Sequence, residues 1–142
     1  MKNYFIISIL VSILIGGDTK TLTVDLEKSN LRWVAEKVTG SHWGYVNVKK
    51  GSVEIKNDRL MSGEFIVDMT TIEVMDIKGT PWGKKLEAHL HSKDFFDTEN
   101  YPEAYFSLHS VKMKNNVLLI SGDLTIKDIT HPLDFNCEVI HA

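Results

Sequence analysis

The chain has 142 residues, of which 43% are hydrophobic and 25% are charged, and its formal net charge is −3. This length and composition are typical of a single globular domain with a sizeable core. The acidic balance excludes an electrostatic footprint for nucleic acid, and no polybasic run indicates an anionic membrane surface. Cys137 is the only cysteine, so neither an intramolecular disulfide nor a zinc site built from several cysteines can form.

Residues 1–20 differ from the rest of the chain and predict a signal peptide. Lys2 precedes an apolar run from Tyr4 to Ile15 that only two serines interrupt. The run is shorter than the roughly 20 residues of a membrane-spanning helix, and it fits the hydrophobic region of a secretory signal. A buried N-terminal strand is the alternative. We therefore expect a periplasmic or secreted protein, with cleavage between about Gly17 and Thr21 and a domain over residues 21–142.

Alternating apolar and polar residues predict a series of short β-strands. The clearest is Leu60–Met69, where Phe65, Val67 and Met69 share one face and Glu64 lies on the other. The other predicted strands are Leu22–Val24, Leu31–Val38, Tyr45–Val48, Ser52–Lys56, Ala104–Met113, Val117–Lys127 and Leu133–Ile140. Loops or turns are predicted at Gly40–Gly44, Lys49–Gly51, Asn57-Asp58, Asn115-Asn116 and Asp128–Thr130. Strands separated by turns every 8–12 residues or so indicate an antiparallel sandwich or barrel.

One stretch, residues 86–102, does not have a β pattern. Up to about Ala88 it predicts one or two helical turns, and from Asp94 it becomes a loop. The loop carries Phe95 and Phe96 among acidic residues and asparagine, and each aromatic ring buries roughly 150–250 Å² when packed. We expect this clasp loop, residues 92–102, to cover a larger apolar body.

Chemistry-bearing motifs are sparse. The sequence has no nucleophile elbow, phosphate-binding loop, dinucleotide-binding glycine motif or His-Glu-x-x-His motif. His89, His91 and Asp94 could form a zinc or copper set only in an extended segment, because residues i and i+2 of a helix point about 200° apart. We expect both histidines to be structural, with no metal or cofactor bound. The alternative is a metal-dependent enzyme that uses His89, His91 and Asp94. Cys137 shares a face with other apolar residues and is predicted to be a small buried hydrophobe.

Three segments resemble the YceI-like, polyisoprenoid-binding family. The first runs from Leu86 through Ser92-Lys93-Asp94-Phe95-Phe96-Asp97 to Tyr101-Pro102. The second is Gly122–Leu133, with the sequence GDLTIKDITHPL, and the third is Lys37–Gly40 with Trp43-Gly44. The resemblance extends from about Asp25 to about Val139.

This resemblance implies a lipocalin-like antiparallel β-barrel that holds a polyisoprenoid or a related long-chain lipid inside an elongated apolar interior. Members of the family continue past the strand equivalent to Leu133–Ile140 with further strands that close the barrel. We therefore expect a barrel that either lacks its last strand or closes with fewer strands.

Together, the strand pattern and the resemblance give one expectation for the site. Apolar strand faces alone indicate an ordinary barrel core, and it is the resemblance that points to a ligand. The residues expected to line the ligand-binding interior are Trp33, Phe65, Val67, Met69, Phe106, Leu108, Leu124, Ile126 and Phe135. The structural residues of the clasp are Phe95, Phe96, Tyr101 and Pro102. Three charged residues of the opposite parity, Glu64, Asp123 and Lys127, are expected to face water.

The expected function is therefore non-enzymatic binding of a polyisoprenoid or another long-chain amphiphilic lipid. No nucleic-acid partner and no stable membrane span after cleavage are expected. Besides the metal-dependent enzyme, the remaining alternative is a structural or interaction barrel whose interior is filled by its own side chains.

Overall fold

The computed structural model describes residues 6–8 and 19–140. Within them the elements are β1 (Ile6–Ser8), β2 (Lys20–Thr23), β3 (Asn30–Lys37), β4 (Gly40–Lys56), β5 (Arg59–Val74), α1 (Pro81–His91), β6 (Glu103–Lys114), β7 (Val117–Ile126) and β8 (Ile129–Cys137). An antiparallel β architecture with one short helix confirms the predicted fold class. The predicted signal peptide falls mainly on residues 1–5 and 9–18, which lie outside the described residues.

All strand pairs are antiparallel, and the sheet runs in the order β1-β3-β4-β5-β6-β7-β8. β2 lies off this path because β4 is long enough to take two partners along one edge. β3 pairs with its N-terminal half, from Leu31 opposite Val46, and β2 pairs with its C-terminal half, from Thr23 opposite Ser52.

The sheet curls so that one of its faces becomes an interior. Leu22 of β2 and Phe135 of β8 belong to the same apolar cluster, although these strands lie toward opposite sides of the sheet. Among the described residues no ladder joins β8 to β1, β2 or β3, so the sheet is barrel-like but open along β8.

β4 is one continuous strand, whereas the sequence predicted a loop at Gly40–Gly44 and a turn at Lys49–Gly51. A register shift between Val48 and Lys50 absorbs the irregularity, and the strand continues as it does through a β-bulge. The loop prediction was wrong because the preceding hairpin turns earlier, before Gly40, whose φ of 143° suits glycine. His42 is consequently a strand residue, opposite Ala35.

Two-residue turns with positive φ connect the later strands. Asn57-Asp58 and Asn115-Asn116 occupy the predicted turns. The last turn is Lys127-Asp128, not Asp128–Thr130, so β8 begins at Ile129 and ends at Cys137 instead of spanning Leu133–Ile140. The start of β8 was placed too late because Ile129 follows the turn directly and was assigned to the turn.

The helix is longer than predicted. It begins at Pro81 and continues past Ala88 to His91. Thr80 caps it, since its hydroxyl oxygen accepts a hydrogen bond from the Gly83 amide at 3.0 Å. Proline at the first helical position adds a pre-set φ without losing a helical hydrogen bond. The helix packs against β5, at the end of the sheet where β5 ends.

Candidate functional site

The interior face of the sheet is covered by two clusters of buried apolar residues. The helix-end cluster comprises Leu31, Trp33, Val46, Val67, Met69, Ile72, Val74, Leu90 and Ala104. The far-end cluster comprises Leu22, Val53, Phe65, Phe106, Leu108, Leu118 and Ile120. Both arise from the two-residue periodicity of the strands, which sends alternate side chains of each strand to the same side.

All nine residues predicted to line the interior lie in or against these clusters. Those in the helix-end cluster are Trp33, Val67 and Met69, with Ile126 half-buried against it. Those in the far-end cluster are Phe65, Phe106 and Leu108, with Leu124 and Phe135 half-buried against it. The structure therefore brings the predicted set together on one face.

Sequence reasoning missed part of the interior. Leu118 and Ile120 stand in the apolar run Val117–Ile120, where every residue is apolar and parity cannot be read. Ile72 and Val74 lie beyond the predicted end of their strand, after two threonines. Extending the alternation of Phe65, Val67 and Met69 would instead have placed Thr71 and Glu73 inside, because the register shift between Tyr45 and Asn47 of β4 switches the buried parity of β5.

Aromatic rings in the far-end cluster lie over glycines. A β-carbon on Gly122 would stand 2.5 Å from Cζ of Phe106, and one on Gly51 would stand 2.8 Å from Cδ1 of Phe65. The Phe106 ring centroid lies 6.2 Å from that of Phe65 and 5.6 Å from that of Phe135, within the range of attractive aromatic pairs. Glycine thus sets how far these rings project into the interior.

The helix and the clasp loop cover one end of the interior. Leu90 of α1 is buried in the helix-end cluster, and Phe96 packs half-buried against it. The Phe96 amide donates to the Leu90 carbonyl at 3.0 Å, which fixes the loop directly after the helix. Pro102, the last residue of the clasp loop, is exposed. Its carbonyl oxygen accepts a hydrogen bond from the Met69 amide of β5 at 2.9 Å, which fixes the end of the loop to the sheet.

Phe95 does not share the burial of Phe96. Its side chain is 37% exposed, and its ring contacts Phe96 and His89 edge-on, with centroids 4.7 and 5.8 Å away. The expectation that both rings are buried is therefore wrong for Phe95, which packs on Phe96 and His89 while Phe96 packs against the helix-end cluster. Tyr101 is half-buried, and its amide donates to the Asp97 carbonyl at 2.8 Å.

Lys127 holds the clasp loop in place, a role that the sequence did not indicate. Its ammonium group donates to the backbone carbonyls of Lys93 and Phe95 at 3.2 and 3.0 Å. Lys127 is half-buried and so does not simply face water as predicted. Asp123 is also half-buried, with a carboxylate oxygen 3.6 Å from Nε2 of His109, whereas Glu64 is exposed as expected.

The two histidines of the metal alternative make other contacts, and Asp94 is exposed. His91 has Nε2 3.0 Å from the Ile72 carbonyl oxygen and Nδ1 2.9 Å from the hydroxyl of the buried Thr98. Both ring nitrogens are thus engaged, while the His89 ring lies against Phe95. Because both histidines are on α1, their side chains diverge. Within residues 6–8 and 19–140, no three His, Cys, Asp or Glu side chains are grouped as a metal site requires.

A hydrogen-bonded pair ties β4 to the segment before the helix. Asp76 Oδ2 lies 2.8 Å from Nδ1 of His42, and Asp76 Oδ1 accepts from the Trp43 amide at 3.0 Å. Desolvation acts to raise the pKa of Asp76, but the hydrogen bonds from Trp43 and His42 outweigh it, so this pKa lies below its ordinary value of 3.8. The pair fixes the chain that leads to α1.

Cys137 lies at the open edge of the interior, half-buried against the far-end cluster. Burial, followed by the nearby Glu138 charge, raises the pKa of its thiol. A raised pKa reduces the thiolate fraction, which makes the side chain a poorer nucleophile.

The curled antiparallel sheet with an apolar interior and a helix at one end is a barrel-like all-β architecture, although among the described residues its edge along β8 is open, whereas a lipocalin barrel closes fully. The sequence family model of the YceI-like domain matches residues 22–142. The chain therefore belongs to the YceI-like family, and the resemblance found in its sequence is confirmed.

Named relatives match mainly over short stretches. A UPF0312 protein of Photorhabdus laumondii is 43% identical over 54 residues, which cover 38% of this chain and 28% of the relative. Protein YceI of Escherichia coli O157:H7 is 41% identical over 54 residues, which cover 38% of this chain and 28% of that protein. A UPF0312 protein of Vibrio campbellii is 30% identical over 104 residues, covering 72% of this chain and 55% of the relative. Among the described residues, no helix has the length and apolarity needed to cross a bilayer.

Proposed function

We propose that the protein is a non-enzymatic carrier that holds a polyisoprenoid or another long-chain amphiphilic lipid against the interior face of its sheet. The observation that carries this proposal is the apolar interior face of the curled sheet. Side chains from β2 to β8 form two apolar clusters, and the helix and clasp loop cover one end. Membership of the YceI-like family supports the same conclusion.

The chemistry of the interior suits a chain-like ligand. Burying one methylene stabilises a complex by about 0.8 kcal/mol. Roughly ten methylenes would then approach the 8 kcal/mol of micromolar binding, before the cost of lost motion is subtracted. A ligand with many isoprene units can supply that apolar area without a constellation of hydrogen bonds.

The predicted signal peptide supports a location of this activity outside the cytoplasm, in the periplasm or in the secreted fraction. A long-chain lipid is poorly soluble in those aqueous spaces, so a protein that covers its chain would carry it between membranes. N-terminal sequencing of the protein from its own host tests the export step. A mature terminus between Gly17 and Thr21 supports it, and an intact Met1 on a cytoplasmic product contradicts it.

The binding step is tested by placing a charge on the interior face. Leu124→Glu changes a half-buried residue at the far-end cluster, and Val67→Glu changes a buried one at the helix-end cluster. Glu64→Gln is the matched control, because Glu64 is exposed on the outer face of the same strand as Val67. Circular dichroism identifies the variants that fold.

Trp33 provides the readout, since its ring lies in the helix-end cluster and its indole N–H donates to the Glu73 carbonyl at 3.1 Å. In a Trp43→Phe, Trp82→Phe background, titration with polyprenyl lipids reports binding through Trp33 fluorescence. We expect saturable binding that folded interior-charge variants lose and that Glu64→Gln retains. Equal binding by folded interior variants, or no binding by any form, contradicts the proposal.

A further inference from the structure

The interior row of β4 changes from apolar to polar at the helix end of the sheet. It runs outward from the buried Val46 through Gly44 to His42. His42 lies directly opposite Ala35 of β3, and opposed residues of an antiparallel pair have their side chains on the same face. Ala35 packs against the helix-end cluster, so the His42 imidazole belongs to the interior face.

The neighbouring interior row, on β5, is followed by a carboxylate. Val74, the last residue of β5, is 1% exposed, and Asp76 is the next residue of the same parity. Oδ2 of Asp76 lies 2.8 Å from Nδ1 of His42, and the next residue, Ile77, packs half-buried against the helix-end cluster. The two polar side chains therefore meet where the apolar rows of β4 and β5 end. We call this place, lined by Ala35, His42, Asp76 and Ile77, the mouth of the interior.

Both polar side chains of the mouth are partly accessible. The side chain of His42 is 29% exposed and that of Asp76 is 19% exposed. Two residues further in from Ala35 on β3, Trp33 is only 9% exposed. A lipid lying along the interior face would therefore meet a polar pair at one end and apolar side chains along its chain, which is the polarity of an amphiphile.

Asp76 fixes which nitrogen of the His42 ring carries a proton. Desolvation acts to raise the pKa of Asp76, but hydrogen bonds from Trp43 and His42 bring it below its ordinary value of 3.8, so the carboxylate is ionised at neutral pH. An ionised carboxylate only accepts hydrogen bonds, and Nδ1 of His42 must therefore donate to it. In a neutral imidazole the other nitrogen, Nε2, is then an acceptor.

Nε2 of His42 is available to a ligand. It makes no hydrogen bond to another residue in the part of the chain that the structure describes, where the contact of this ring with Asp76 uses Nδ1. His91 differs, since both of its ring nitrogens are engaged by Ile72 and Thr98. The half-buried ring of His42 thus offers one oriented acceptor at the mouth of the interior.

We propose that the lipid held in the interior ends in a hydroxyl group, and that Nε2 of His42 accepts a hydrogen bond from it. Asp76 is a positioning residue, since it orients the ring and holds the proton on Nδ1. A phosphate headgroup fits the neutral ring less well, because its oxygens would meet both the Nε2 acceptor and the Asp76 carboxylate. The assignment rests on the proposed function and adds the chemical class of the lipid's polar end.

The test compares three isoprenoids that differ only at the polar end: geranylgeraniol, its methyl ether and its monophosphate. Each is titrated at pH 8 into the full chain in the Trp43→Phe, Trp82→Phe background, with the fluorescence of Trp33 as the readout. We expect the alcohol to bind roughly threefold to tenfold more tightly than the ether, as one hydrogen bond usually provides. The phosphate should also bind more weakly than the alcohol.

His42→Ala should abolish the preference for the alcohol and leave the affinity for the ether within about twofold of wild type, because the ether makes no hydrogen bond to Nε2. A matched control is His109→Ala. His109 also stands beside an aspartate, with Nε2 3.6 Å from Oδ2 of Asp123, but its side chain is 56% exposed. This control should keep the wild-type preference for the alcohol.

Asp76→Asn tests the positioning role through the tautomer of the His42 ring. Long-range ¹H–¹⁵N correlation spectra at pH 8 should show a neutral ring with its proton on Nδ1 in wild type. The asparagine amide can donate to Nδ1, so in the variant the proton should move to Nε2 and the preference for the alcohol should fall. A wild-type ring with its proton on Nε2 overturns the assignment.

The affinities for the three isoprenoids distinguish the polar end from the chain. Equal affinity of wild type for the alcohol and the ether, or a higher affinity for the phosphate, overturns the hydroxyl assignment and leaves the proposed function intact. Equal loss of all three ligands by folded His42→Ala also overturns it, since His42 would then support the wall of the interior. If wild type binds none of the three, the assignment and the proposed function both fail.

Discussion

The ring of Phe106 lies directly over Gly122, so that a β-carbon on the glycine would stand 2.5 Å from Cζ of the ring. The Ser107 carbonyl oxygen would be equally close. One neighbour is a side chain that can rotate and the other is backbone that cannot move cheaply. Gly122 therefore determines both the position of the ring and the spacing of β6 and β7.

Gly122→Ala should consequently destabilise the protein and push Phe106 further into the interior. We expect a loss of about 1–3 kcal/mol in the free energy of unfolding, as is usual for overpacking. Chemical denaturation measures it, with Ser121→Ala on the same strand as the control. An unchanged midpoint for Gly122→Ala would mean that the ring is not fixed by the glycine.

The two phenylalanines of the clasp loop should differ in their contribution to stability. Phe96→Ala removes a half-buried ring from the helix-end cluster and should cost roughly 2–3 kcal/mol, less than a fully buried ring. Phe95→Ala removes a ring that is 37% exposed and should cost roughly 1 kcal/mol or less. Thermal unfolding checks the order, and a larger effect for Phe95 would contradict the packing described for the loop.

His91 should be a structural residue of the helical cap. Its ring joins the Ile72 carbonyl to the Thr98 hydroxyl, and Thr98 is only 7% exposed. Replacing His91 with Ala leaves both partners without this bond and should cost about 1–3 kcal/mol. The control is His89→Ala, because His89 lies two residues earlier on the same helix and is exposed. It should have little effect on stability. One equivalent of bound metal per chain that disappears in a His89→Ala, His91→Ala double variant would instead support the metal alternative.

The Asp76–His42 pair should make stability depend on pH in a defined direction. The pKa of Asp76 is lower in the folded protein than its ordinary value of 3.8, so the unfolded chain takes up this proton first on acidification. Its contribution is complete above the unfolded pKa and disappears as pH falls through the folded pKa. Because the pair is near the surface, the contribution should be about 0.5–1 kcal/mol.

Denaturation of wild type and Asp76→Asn between pH 7 and pH 2 measures this contribution. The difference in stability should be present at neutral pH and should shrink below about pH 4. A difference that grows on acidification would show that the hydrogen bonds do not favour the charged carboxylate.

The strands and the apolar parity of the interior could be predicted from sequence because the sheet has one buried face. Phe65, Val67 and Met69 alternate with polar residues, and that alternation directly reflects the pleat. The continuity of β4 could not be read, since Lys49-Lys50-Gly51 has the composition of a turn and only the pairing with β5 shows a bulge.

The end of the interior was less predictable than its walls. The engagement of His91 with Ile72 and Thr98 joins residues that are distant or unremarkable in sequence, and it depends on how the helix docks. The contacts of Lys127 with the clasp loop are made to backbone carbonyls, which any sequence provides. Contacts of this kind follow from the fold and leave no pattern in the sequence.

Native mass spectrometry of the wild-type protein tests most directly whether the interior holds a long-chain lipid. The protein is measured as purified and again after exposure to a panel of polyprenyl lipids of different length. We expect one lipid per chain, retained by Glu64→Gln and lost by folded Leu124→Glu. A well-folded wild-type protein that carries no lipid and takes up none from the panel would contradict it.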